Sequence, residues 1–180
     1  MIDLRNRELP NAITVDGNSF LIQTDFRYWI EFSEKIKNKD VKYKELEYLF
    51  VNKTPKTFYM KQLMDFYINS NPIPKIESTN SEPILDYIID GEYIYASFMQ
   101  AYNIDLLSCN MHWHIFKALL NGLPSNTYIK EIMSMRAYKK SNKNYEQTQR
   151  ELKEAWRLPI NYSKEQEDII KEINEEFYNS

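Results

Sequence analysis

Apolar residues recur along the chain at two periods, and each period predicts a kind of element. Residues 13–22 read ITVDGNSFLI, two β-prone runs on either side of Asp16-Gly17. A tight turn needs positive φ at its centre, so this stretch predicts a hairpin. Two strands are marginal alone and must lie on something apolar. Thr24 and Asp25 are capping residues ahead of Phe26, Trp29, Ile30 and Ile36, which fall at helical spacing. A short helix is expected over Tyr43 to Val51. Another is expected from about Pro55 through Phe58, Leu63, Phe66 and Tyr67, since proline suits a first helical turn.

The pattern then fails. Residues 69–83, NSNPIPKIESTNSEP, mix prolines with turn-forming polar residues and read as a linker or long surface loop. Helical spacing returns behind Asp86 or Asp90 with Ile94, Tyr95, Phe98 and Tyr102. Asn103 suits a left-handed helix end, and Asp105 or Ser108 caps a further helix from Ser108 to Asn121, stopped by Gly122 and Pro124. Those two helices are expected to be antiparallel neighbours. Ser125 or Asn126 opens the next one, carrying Ile129, Ile132, Met133 and Tyr138, and residues 139–144 read as a solvated connection.

Tyr145, Gln149, Leu152 and Trp156 mark one face of a helix that Leu158-Pro159 stops, with Glu146, Arg150 and Glu154 at ion-pairing intervals. Ser163 and Gln166 form a capping box ahead of a stripe of Ile169, Ile170, Ile173 and Phe177, with Tyr162 beside it. The expected fold is mainly α: a compact helical domain of about six to eight helices with a small N-terminal β-hairpin. Its expected organisation is 1–70 hairpin plus helices, 71–85 linker or long loop, 86–158 helical core and 159–180 C-terminal amphipathic helix, forming one compact unit.

Composition narrows the function classes. With 43% hydrophobic and 27% charged residues, a chain of 180 can bury a real core under a solvated exterior. A formal net charge of −3 supplies no positive field for phosphate binding, so nucleic acid is not an expected partner. No apolar run approaches the roughly 20 residues of a membrane span, so no membrane association is expected. The first residues, MIDLRNRE, lack the apolar core of a secretion signal, and Cys109, the single cysteine, cannot make an internal disulfide. A reducing cytoplasm is the expected compartment.

The chemistry-bearing residues do not add up to a reactive centre. His112 and His114 would point about 200° apart on a helix and could not share one ion. His112 shares a face with Ile115, Phe116 and Leu119 and reads as a hydrogen-bonded interior histidine. Cys109 and His112 have ligand-like spacing without a second cluster to complete four ligands, and no glycine-rich oxyanion loop accompanies them. Glycines at 17, 91 and 122 alone cannot build a phosphate cradle. No catalytic residue, metal or cofactor is therefore expected. Lys130, Arg136, Tyr138, Lys139, Lys140 and Lys143 form a basic neighbourhood that reads as cations complementing a helix C-terminus, or as a face for an acidic protein.

Several motifs together resemble the bacteriophage gene-product-fifteen family. They are Asp16-Gly17, residues 24–27 (TDFR), 94–98 (IYASF), 102–106 (YNIDL), His112-Trp113, 116–120 (FKALL), 122–124 (GLP), 131–133 (EIM) and Arg136, in family order over nearly the whole chain. Where the family often has a second tryptophan, this chain has His114. The resemblance implies a tail-module protein of long-tailed, non-contractile phages, encoded near the tape-measure gene. It implies a tail assembly chaperone that transiently coats aggregation-prone tape-measure helices in the host bacterial cytoplasm while tail-tube subunits polymerise, and self-association is compatible with it. A tail-completion component retained in the virion, or a phage protein that binds host defence factors, are the alternatives. The apolar anchors expected to bind such partners are Phe26, Trp29, Trp156, Ile169, Ile173 and Phe177.

Overall fold

Asp16 and Gly17 both adopt positive φ, 49° and 77°, and fold the chain back on itself between β1 (Ala12–Val15) and β2 (Asn18–Leu21). The strands pair antiparallel, Val15 facing Asn18 and Ile13 facing Phe20, which sends Ile13 and Val15 into the core. The computed structural model describes residues 2–37, 41–57, 59–68, 82–138 and 146–159. Among them are seven helices: α1 (Phe26–Ile36), a 3₁₀ turn (Tyr43–Leu49), α2 (Met60–Ile68), α3 (Gly91–Tyr102), α4 (Trp113–Asn121), α5 (Tyr128–Ala137) and α6 (Glu146–Ala155). The mainly helical fold with an N-terminal hairpin is thus observed. The stripe at residues 162–177 and the connection at 139–144 lie outside the described residues, as does nearly all of the 69–83 stretch.

The chain forms two compact units, residues 1–74 with 110–119, and residues 75–109 with 120–180. The first unit takes in residues 110–119 from further along the chain. That segment reaches it through the main chain: Phe26 N–H donates to Met111 O at 2.9 Å and Trp113 N–H to Thr24 O at 2.7 Å. Asp25 caps α1 by accepting from Arg27 N–H and also accepts from Met111 N–H. Because these contacts hold Met111 and His112 extended, α4 starts at Trp113 and not at Ser108. Asp105 instead caps a turn, accepting from Leu107 N–H at 2.9 Å.

The interior of the first unit is aromatic. Trp29, Phe32 and Trp113 are fully buried, Phe26 stacks on Phe116 at 4.6 Å, and Tyr67 stacks on Trp113 at 5.1 Å. Each indole N–H finds a carbonyl, Trp29 at Gln23 O and Trp113 at Tyr67 O, both 2.8 Å. Pro55 is buried ahead of α2, which begins five residues later than its proline suggested.

The second unit packs α3 on α5 and α5 on α6, around Ile94, Phe98, Ile129, Ile132 and Met133. Asn103 closes α3 at φ 53°, in the left-handed conformation its sequence position suggested. Thr127, and not Ser125 or Asn126, precedes α5; its hydroxyl donates to Pro124 O at 2.8 Å, and Ser97 Oγ accepts from Ile129 N–H.

Candidate functional site

The segment that crosses into the first unit brings both histidines with it. His112 precedes the first turn of α4, so its ring is freed from helical geometry and lies 4.9 Å from that of His114. The expectation that the two rings diverge fails for this reason. His112 is not the interior member either: it is half-buried, whereas His114 is only 3% exposed.

Each ring has a defined task. His112 Nε2–H donates to Pro10 O at 2.9 Å and its Nδ1 accepts from His114 N–H at 3.0 Å, so the ring works as an N-cap for α4. His114 Nε2–H donates to Phe66 O at 2.9 Å, and its Nδ1 is buried without a hydrogen-bond partner. Burial lowers the His112 pKa, against the raising effect of the Pro10 carbonyl. Burial likewise is the main cause that lowers His114 to about 4; the neighbouring His112, the N-terminal amine and Lys117 add to it, against the Phe66 carbonyl. Both rings are neutral at pH 7.

One turn further along α4, the Lys117 ammonium is buried and donates to Tyr67 O and Ile68 O, both at 2.7 Å. These are terminal carbonyls of α2, where a cation meets the negative end of the helix dipole. Residues 112–117 thus clasp Pro10 and the end of α2.

The second unit has its own polar centre. Arg136 donates in bidentate fashion to Asp90, NH1 to Oδ2 at 2.6 Å and NH2 to Oδ1 at 2.9 Å. It also donates to Ile84 O at 3.1 Å and to Trp156 O at 2.7 Å. Arg136 therefore does not belong to a basic surface, as expected from its neighbours in sequence; it is buried, and Asp90 is fully buried. Lys130 is half-buried and desolvation lowers its pKa. Lys139, Lys140 and Lys143 lie outside the described residues.

The anchor residues expected for a partner fall into three groups. Phe26 and Trp29 are core residues of the first unit, 5% and 0% exposed, and present no surface. Trp156 is partly exposed and meets Tyr93 and Tyr128 edge to face at 5.8 and 6.0 Å. Ile169, Ile173 and Phe177 lie outside the described residues. Exposed apolar side chains in the second unit include Ile88, Ile89 and Leu107, the last 81% exposed. None of these was singled out from sequence, because each sits in a turn where no periodicity marks a face. Cys109 lies in the second unit and the histidines in the first, and among the described residues no group of three His, Cys, Asp or Glu could hold a metal. No described helix is long and apolar enough to cross a membrane.

No curated protein and no solved structure matches the chain. The family model described as Bacteriophage Gp15 protein matches residues 5–162, a span holding both the histidine clasp and the Asp90–Arg136 centre, and the chain belongs to that family.

Proposed function

We propose that the chain is a non-enzymatic phage tail assembly protein, a chaperone or scaffold that holds the tape-measure protein, and with it the tail-tube protein, in the host cytoplasm. The observation that carries this reading is the use made of its buried polar side chains. His112, His114, Lys117 and Arg136 all donate to main-chain carbonyls of their own unit, so chemistry that could serve a reaction serves the fold instead. Among its exposed side chains the second unit carries apolar ones, Ile88, Ile89 and Leu107, with Trp156 partly exposed, which suit a greasy helix of another polypeptide.

Co-expression with the tape-measure protein of the same phage tests this. The expected result is a soluble complex that co-purifies, and purified particles that lack the chain. A tape-measure protein equally soluble without the chain overturns the chaperone reading, and stoichiometric chain in purified virions replaces it with a structural tail component. Ile173→Asp with Phe177→Asp is expected to abolish capture while melting stays unchanged; a collapsed melting transition would make that stripe core.

A further inference from the structure

Tyr93 on α3, Tyr128 at the start of α5 and Trp156 just past α6 bring three rings together within the second unit. Their centroids lie 5.0, 5.8 and 6.0 Å apart and their planes cross at 80°, 75° and 82°, so each ring meets the other two edge to face. Rings this close touch one another. No ammonium fits among them as it would in an aromatic cage, and their outer faces form a ridged apolar surface instead. That surface is open, with Tyr128 47% exposed and Tyr93 and Trp156 partly exposed.

The polar tips of the same rings are uncommitted. The Trp29 and Trp113 indoles each donate to a carbonyl, whereas the Trp156 indole N–H meets no acceptor among the described residues. The Tyr93 and Tyr128 hydroxyls likewise make no hydrogen bond among the described residues. A guest that suits this ridge must bring apolar bulk to the faces and acceptors to the tips. A helix cannot bring the acceptors, because its main-chain carbonyls are taken by its own N–H groups. An added strand brings as many N–H groups as carbonyls, and the indole tip only donates. A polyproline II segment meets both needs: its prolines carry no N–H, its carbonyls are free of internal bonds, and its stiff backbone loses little freedom on docking.

We infer that Tyr93, Tyr128 and Trp156 form a docking ridge for a proline-rich segment in the polyproline II conformation, with the Trp156 indole N–H donating to one of its carbonyls. The inference rests on the partner-binding reading above and adds to it a non-helical stretch of the partner and the place where that stretch binds.

The test uses the full chain, with tryptophan labelled by ¹⁵N, titrated with three N-acetyl peptide amides: octaproline, a glycine-serine octamer and a helix-forming Glu-Ala-Ala-Ala-Lys repeat. Loss of one indole signal in Trp156→Phe assigns that residue. Octaproline is expected to move the Trp156 indole proton downfield as it donates, to leave the signals of the buried Trp29 and Trp113 in place, and to bind roughly tenfold tighter than the other two. Tyr128→Leu, at an exposed position, removes a ring, and Trp156→Phe keeps a ring but removes the donor; each is expected to erase the preference. Equal binding of the three peptides, an unmoved Trp156 indole signal, or a preference that survives either substitution overturns the inference. Tape-measure capture is scored separately. No capture with the octaproline preference intact sinks the chaperone reading alone, and capture without the preference sinks the ridge alone.

Discussion

Lys117 in the first unit and Arg136 in the second are both buried cations set against the end of a helix, yet they are held in different ways. Lys117 places a compact ammonium on two terminal carbonyls of α2, with the Trp113 ring 5.5 Å away. Arg136 reaches the carbonyl just past α6, but its planar fork also grips Asp90 with two parallel bonds and Ile84 O with a third contact. The ammonium acts as a point charge at a dipole, while the guanidinium ties three separated stretches of chain together by shape. The second unit therefore depends on one ion pair, and the first spreads its dependence over His112, His114 and Lys117.

Removing one partner of the ion pair is the strongest way to break that contrast. Asp90→Leu leaves the Arg136 charge buried and is expected to cost ~3–5 kcal/mol, seen as a lower denaturation midpoint and as faster amide exchange in the second unit. Adding Arg136→Met should recover much of the loss, because two apolar side chains carry no unpaired charge. Full additivity of the two losses would show that the pair does not act as a unit.

Acid should sharpen the contrast from the other side. The folded pKa of His114 lies near 4, below its ordinary value of 6.5, so the unfolded chain binds the proton more readily. Stability is therefore full above about pH 6.5 and falls as pH drops toward 4, by about 3 kcal/mol from this ring. The lowered His112 pKa acts in the same direction. In the His114→Phe variant the slope of stability against pH between 6.5 and 4 should flatten; an unchanged slope would assign the acid sensitivity elsewhere.

Smaller effects belong to the caps. Lys117→Met keeps the stem but strands the α2 carbonyls, and an expected loss of ~1–3 kcal/mol by chemical denaturation would measure what the ammonium supplies. Asp25→Ala removes the α1 cap and the contact with Met111 N–H, for roughly 1 kcal/mol, and should raise amide exchange at Arg27 and Met111 together. Exchange raised at Arg27 alone would mean that Asp25 does not hold the returning segment.

Much of the local structure was legible because local rules decide it. Asp16-Gly17 could form only a tight turn, Asp25 could cap only the stripe directly after it, and Asn103 accepts a left-handed conformation that most residues avoid. The errors share one cause. The start of α4 and the tasks of the two histidines depend on main-chain bonds to Thr24 and Phe26, more than 80 positions away. Nothing in a short window reports such bonds. Arg136 misled for the same reason: its sequence neighbours are basic, while its spatial neighbour Asp90 is 46 positions upstream.

The order of residues along the chain therefore set the helical spacing, the hairpin and the caps, since each depends on the preferences of a few adjacent residues. The same order carried the motifs that place the chain in its phage family. Folding alone decided which buried polar groups would meet, because a carbonyl or carboxylate becomes a partner only when a distant segment is brought within about 3 Å of it. It also decided that buried acceptors at Gln62 and His114 would be left without a hydrogen-bond partner.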